Sequence, residues 1–292
     1  MNDTQKQAEK ETETLLRSGI PGISEYLELD RNRDYQQLLS SSRQFRKEVE
    51  TREVFSRLYS IKWVKDPFLQ WSRRWEYVYV LQRLRSWWQD HPQALDVADA
   101  GSGFTFFPFY LRQLNPLARI NCVDADATVG RAIEAAARVL GQGPEFSLED
   151  LENLDRPSES LDAVFSVSVI EHTKDPKRVV EEIHRALRPG GLFVCTFDIS
   201  FEPSSPMYVT RVEQLLNKLH ELFRSQDEDT VSIVDSVEKP ARVTTAWVAR
   251  EHPERLPWRN PWLVWLYDAM RGRFRSRLYR PMTFFCGSFI KT

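Results

Sequence analysis

The hydrophobic and polar positions divide this chain into three zones. Up to about residue 90 the pattern is helical in period and rich in charge. Its strongest helices are expected over 48–58 and 71–88, neither carrying an internal Gly or Pro. From about residue 94, short apolar runs alternate with amphipathic segments. Strands are expected over 94–100, 119–124, 145–148, 161–169 and 192–197, and helices over 105–114, 127–140 and 177–187. Pro108 falls near the first turn of its helix, Gly141 closes the second, and Pro189-Gly190-Gly191 follows the third. Beyond about Asp198 the rhythm breaks. A helix over 209–223, a strand over 230–234, an irregular proline-punctuated stretch over 239–260 and a last strand over 282–290 are expected there. Strands alternating with helices imply an α/β fold with a doubly wound, mostly parallel sheet. Ligands of such a sheet gather outside the carboxyl ends of its strands.

One junction in that pattern carries chemistry. Leu95-Asp-Val-Ala-Asp-Ala-Gly-Ser-Gly103 is a buried-strand run that ends in an acid and then turns on Gly-Ser-Gly. The glycines let the backbone bend and a ligand lie against it. Asp124 ends the next strand, at the spacing where a nucleoside-binding α/β unit places a carboxylate on ribose hydroxyls. An adenosine-type cofactor is therefore expected. A dinucleotide loop wants a small residue at the sixth position of Gly-x-Gly-x-x-Gly, and here that position is Phe106, which disfavours a nicotinamide-dependent oxidoreductase.

Five segments in order resemble the class I S-adenosylmethionine-dependent methyltransferases, over roughly residues 94 to 198. They are Asp99-Ala-Gly-Ser-Gly103, Val123-Asp124-Ala125-Asp126, Phe146-Ser-Leu-Glu-Asp150-Leu151, Ser160 to His172, and Leu187-Arg-Pro-Gly-Gly-Leu-Phe-Val194. The run Phe104, Phe106, Phe107, Phe109 is more aromatic than is usual for that family. The resemblance implies S-adenosylmethionine as cofactor. The backbone at Gly101 and Gly103 would face its methionine and ribose part, and Asp99 would orient its amino group. Asp124, with Ala125 beside it, would meet the ribose hydroxyls. Asp150 and the Leu151 amide would meet adenine, and Ser168 would lie near the methionine moiety. It further implies a helical cap over 1–90, a cofactor-binding core over 91–200, a substrate-selecting lid over 201–281, and a final antiparallel strand over 282–292. The expected activity is in-line methyl transfer to an oxygen or nitrogen of a small molecule, such as one bearing a sugar or phosphate. The competing reading is a binding or scaffolding protein that kept the fold and lost transfer.

Several residues admit a plainer reading. Asp126 is as well placed to cap the following helix as to touch ligand, and Asp150 lies among other loop acids, Glu149 and Glu152. His172 follows strand four and titrates near neutrality, so it is a candidate general base, or else a packed residue. The nine tryptophans pack flanking helices or line an acceptor pocket. Arg271 to Arg280 is basic and follows the aromatic stretch 258–267. It reads as a solvated face, a phosphate-holding cluster, or a peripheral membrane contact through 258–280.

Composition narrows the field. The chain has 292 residues, 41% hydrophobic and 28% charged, with a formal net charge of -2. That balance is ordinary for a globular protein and argues against nucleic acid as the partner. Cys122, Cys195 and Cys286 lie in apolar runs without metal-ligand spacing and are expected as reduced core residues. The polar start Met1-Asn-Asp-Thr-Gln-Lys6 has no apolar signal core and no run is long enough to span a membrane, so a cytoplasmic, or membrane-peripheral, location is expected. Oligomeric state leaves no trace in the sequence.

Overall fold

The computed structural model describes residues 15–50, 67–93, 95–227, 241–256, 262, 266, 269–270 and 280–292. The expected strand over 230–234, the second half of the expected helix over 48–58, and nearly all of the basic run 271–280 lie outside the described residues, as do Trp63, Trp258 and Trp265.

Seven strands form one sheet: β1 Leu95–Ala100, β2 Ala118–Asp124, β3 Glu145–Leu148, β4 Leu161–Val167, β5 Leu187–Ser200, β6 Phe223–Ser225 and β7 Met282–Lys291. Their order is β3-β2-β1-β4-β5-β7-β6. Strands β1 to β5 run parallel, while β7 lies antiparallel between β5 and β6. Parallel neighbours need crossover helices, which cover both faces and explain why Leu192–Cys195 is an unbroken apolar run. Strand order reverses between β1 and β4, where the first crossovers diverge to opposite sides.

The helices are α1 Ile23–Glu28, α2 Arg33–Glu50, α3 Arg73–Asp90, α4 Phe107–Leu114, α5 Ala127–Leu140, α6 Pro176–Ala186, α7 Val209–Leu222 and α8 Thr245–Glu251. One face of the sheet packs against α3, α4 and the α1–α2 segment, the other against α6 and α7. Helix α3 is unusual because nearly its whole circumference is buried, including Arg74, Glu76, Gln82 and Arg83. These polar groups are paired. Gln82 donates to Asp34 at 3.1 Å and accepts from the Leu16 amide at 2.9 Å. Arg83 forks onto both carboxylate oxygens of Asp227 at 3.0 and 2.7 Å and also donates to the Leu16 carbonyl. A buried helix that carries charge is stable only when each charge finds such a partner.

The helix termini follow local chemistry. The Asp126 carboxylate accepts from the Thr128 amide at 2.8 Å and caps α5, and Gly141 ends that helix in the left-handed region at φ 73°. Other boundaries moved. Strand β4 stops at Val167, because Ser168 turns to φ 49°. Strand β5 runs past both expected ends: Leu187 pairs with Leu161 of β4, and antiparallel β7 carries the strand on to Ser200. The expected irregular stretch contains α8, capped by the Thr244 hydroxyl on the Trp247 amide. Helix α7 packs against α6 and β5 and leads into β6, so this part of the region expected as a lid belongs to the sheet layer. Among the described residues no helix is long and apolar enough to cross a membrane.

Helix α5 meets β3 through a glycine. A Cβ at Gly130 would stand 2.4 Å from the Phe146 ring. Gly130→Ala should therefore lower stability by about 1–3 kcal/mol through overpacking, despite alanine's better helix propensity. Urea denaturation checks this, and an unchanged or higher midpoint would contradict the contact.

Candidate functional site

The carboxyl ends of β1 and β4 open onto one cleft of about 180 Å³, lined by Arg73, Tyr77, Asp99, the loop Gly101 to Thr105, Phe107, Phe165, and Val167 to Val169. Backbone geometry shapes its floor. Gly101 and Gly103 both have positive φ, 76° and 51°. A Cβ at Gly101 would stand 2.2 Å from Val169 Cγ1, so only glycine lets β1 turn there against the β4 loop. The Gly103 amide donates to Asp124 Oδ2 at 2.9 Å, and the Asp126 amide donates to Asp124 Oδ1 at 2.9 Å. Both oxygens are thus oriented while the side chain stays partly exposed.

The expected cofactor residues gather unevenly. Asp99, Gly101, Gly103 and Ser168 line the cleft itself. Asp124 is tied to it through Gly103, with exposed Ala125 next to it. Asp150 follows β3, where its Oδ1 accepts from the Glu152 amide at 2.9 Å, and Leu151 is buried beside Leu154. Asp99 is buried at the end of β1. Burial, then the nearby Asp124 charge, holds its carboxyl well above the usual range.

Two residues that the sequence does not single out shape one side of the cleft: Arg73 lines it, and buried Glu76 holds Arg73 and Ser168 from behind. Arg73 is the one cationic side chain among the described lining residues. Its Nη1 donates to Glu76 Oε2 at 2.5 Å and to the Ser168 hydroxyl. Ser168 Oγ in turn donates to Glu76 Oε1 at 2.6 Å. Burial opposes the Arg73 charge, yet Glu76, Tyr77 and Asp198 together keep its pKa above the ordinary value. The available signal was a charged pair three residues apart inside an aromatic helix, which normally marks a solvated face. Asp198 was also missed. Like Asp99 and Asp124, it is an acid close to the end of an apolar strand.

His172 stands in the turn after β4, its amide donating to the Val169 carbonyl at 2.8 Å. Burial, then Arg73 and Arg280, lowers its pKa, so the ring is neutral at neutral pH. The described tryptophans of the first zone, Trp71, Trp75, Trp87 and Trp88, are buried with Trp247, which supports packing as their role; none lines the cleft. Phe106 packs on Phe68 and Tyr77 with ring centroids 5.6 and 5.7 Å apart. The three cysteines are free and buried.

The core is similar to known proteins. Residues 98–195 match a family model described as a methyltransferase domain. The malonyl-[acyl-carrier protein] O-methyltransferase of Laribacter hongkongensis is 32% identical over 105 residues, 34% of this chain and 35% of that protein. A Mycolicibacterium smegmatis protein named "Probable S-adenosylmethionine-dependent methyltransferase" is 31% identical over 174 residues, 56% of this chain and 62% of its own length. A solved S-adenosylmethionine-dependent methyltransferase from Aquifex aeolicus is 12% identical with a TM-score of 0.43, over 68% of this chain and 84% of that one. The chain therefore spans about a third of the first curated relative and less than two thirds of the other.

The buried acids make stability depend on pH. Asp198 is pushed from 3.8 up to about 7 by burial and by Glu76, against Arg73 and Arg280. Between those values the fold holds a proton that the unfolded chain releases, so stability is greatest below about pH 4 for this group and falls as pH rises towards 7. Asp198→Asn should flatten that fall in denaturation midpoints taken from pH 5 to 8. An equal slope in both proteins would contradict the assignment.

Proposed function

We propose that this chain, whose core belongs to the class I S-adenosylmethionine-dependent methyltransferases, binds that cofactor over the Gly101-Ser102-Gly103 turn and directs its methyl group to a small-molecule acceptor. The observation that carries the reading is the Gly103 amide held 2.9 Å from the partly exposed Asp124 carboxylate, on a glycine turn with open space where a Cβ would stand.

The residues suit the parts of that cofactor. Asp124, its oxygens fixed by two amides, is an acceptor for the ribose hydroxyls, with Ala125 alongside. The backbone at Gly101 and Gly103 admits the methionine and ribose portion without a side chain in the way. Asp99 is a carboxylate whose burial disfavours its charge, so an amino group arriving as ammonium would hold it ionised. Arg73 supplies a guanidinium for the cofactor's carboxylate, with Ser168 beside it. Asp150 and Leu151 are assigned to adenine, beyond β3.

When bound, the cofactor supplies a methyl group already activated on a sulfonium. The protein's work is therefore to align the acceptor and exclude water. Phe107, Phe165 and Val169 give the cleft apolar walls that serve this end. The acceptor atom is an oxygen or nitrogen of a small molecule, and His172, neutral and half-buried, is a candidate for its proton. The phosphate-holding and membrane-contact readings of 258–280 concern a segment of which only Trp262, Leu266, Ala269, Met270 and Arg280 are described; Trp262, Leu266 and Met270 are exposed.

Calorimetric titration with S-adenosylhomocysteine tests the reading. Native protein should bind it and ignore NAD. Asp124→Ala should weaken binding about tenfold or more, the usual effect of losing hydrogen bonds to a charged group, with the fold intact by denaturation. Arg73→Ala should weaken S-adenosylhomocysteine but spare 5′-methylthioadenosine, which lacks the carboxylate. A native protein that binds no S-adenosylhomocysteine would sink the proposal.

A further inference from the structure

Beside the cofactor cleft, three carboxylates converge where α3 crosses the carboxyl ends of β4 and β5. They belong to Glu76 of α3, Glu171 of the turn after β4, and Asp198 of β5. Glu76 is wholly buried and fully engaged by Arg73 and Ser168. The other two are not. Glu171 Oε1 accepts the Asp198 amide at 3.2 Å, but its Oε2 is buried and has no partner. The Asp198 carboxylate accepts no hydrogen bond from a described residue, and it lies in the field of Glu76 and Arg73.

The surrounding charges do not balance these acids. Arg73 is shared with Glu76, and Arg280, just before β7, is exposed. His172 on the same turn is neutral, and the neighbouring thiols Cys195 and Cys286 have pKa values raised by burial, so they add no charge. Burial and mutual repulsion consequently leave Glu171 and Asp198 with raised proton affinities. An orphaned buried carboxylate oxygen is costly unless something positive meets it. Among the described residues no group of His, Cys, Asp and Glu is placed to hold a metal ion. Below about pH 7 a bound proton keeps Asp198 neutral; above it the carboxylate is charged and unmatched, and a neutral hydroxyl would leave that charge as it is. A nitrogen cation would cancel it.

We propose that Asp198 and Glu171, next to the Arg73–Ser168 side of the cleft, form a subsite for a cationic nitrogen, so that the methyl acceptor is an amine; this rests on the cofactor reading above. The amine arrives as ammonium and gives one proton to the Asp198 carboxylate. Its freed lone pair forms the new N–CH3 bond, while the C–S bond breaks with its electron pair passing to sulfur. The methylated nitrogen is again a cation facing Glu171, and Asp198 returns its proton to solvent.

Sinefungin, which carries a primary ammonium where the sulfonium methyl stands, is the probe, with S-adenosylhomocysteine as its neutral counterpart. Native protein at pH 8 should bind sinefungin at least about tenfold more tightly than S-adenosylhomocysteine, as expected for a charge-assisted hydrogen bond. That preference should shrink towards pH 6 as Asp198, with its pKa of about 7, takes up a proton. Asp198→Asn and, independently, Glu171→Gln should each erase most of the preference while leaving the S-adenosylhomocysteine affinity within about twofold. Equal affinities in the native protein, or a preference that survives both substitutions, would overturn the subsite and leave the cofactor reading standing. Failure of the native protein to bind either compound would remove the cofactor reading and the subsite together.

Discussion

Gly101 and Val169 meet so closely that a single added carbon at Gly101 would lie 2.2 Å from the valine methyl. That contact joins the ends of the two central strands, and much of the site follows from it. The β1 turn must take φ 76°, which glycine accepts at no steric cost. The β4 chain must leave the sheet directly after Val167, with Ser168 at φ 49°, a costly conformation for a residue with a side chain. The turn places the Ser168 amide on Thr196 of β5 and its hydroxyl on Glu76 of α3. One close approach thus ties β1, β4, β5 and the N-terminal helical layer to a common geometry.

The second organising feature is electrostatic. Helix α3 lies buried between the sheet and the α1–α2 segment, yet it carries charge into that space at three levels. At its start Arg73 faces the cleft and is paired with buried Glu76, Arg74 reaches Tyr35 and Asp30, and further along Arg83 is held by Asp227. Removing either partner of such a pair leaves an unsolvated charge, so the pairs select one arrangement of the helix more than they add stability. The cleft end of α3 is where pairing is incomplete, and Glu171 and Asp198 are the groups left over. A surplus of buried carboxylate beside a ligand cleft is a charge pattern that a bound cation completes.

The architecture was legible because the sheet is buried on both faces. Continuous apolar runs such as Leu192–Cys195, separated by amphipathic helices with clear caps, leave few alternatives. Gly101, Gly103 and Asp124 were legible for a related reason, since a strand that ends in Gly-x-Gly followed at fixed distance by an acid has a local steric meaning. Elements whose existence depends on distant partners were not. Strand β6 is three residues long and exists only by pairing with β7. The extension of β5 to Ser200 is likewise imposed by β7, and α8 is a short capped helix within a proline-rich stretch.

The acceptor side divides along the same line. Periodicity and turn chemistry, which act within a few residues, determined the strand order of events along the chain, the glycine turn, the Asp126 cap and the carboxylate at Asp124. Only the tertiary structure decided that Arg73 lines the cleft beside Ser168 and that Glu76, 92 residues from Ser168 along the chain, holds both. It alone brought Glu171 beneath Asp198 and left an oxygen without a partner. Burial and charge coupling depend on what is adjacent in space, and a charged residue in a helix looks the same in sequence whether water or a carboxylate stands opposite.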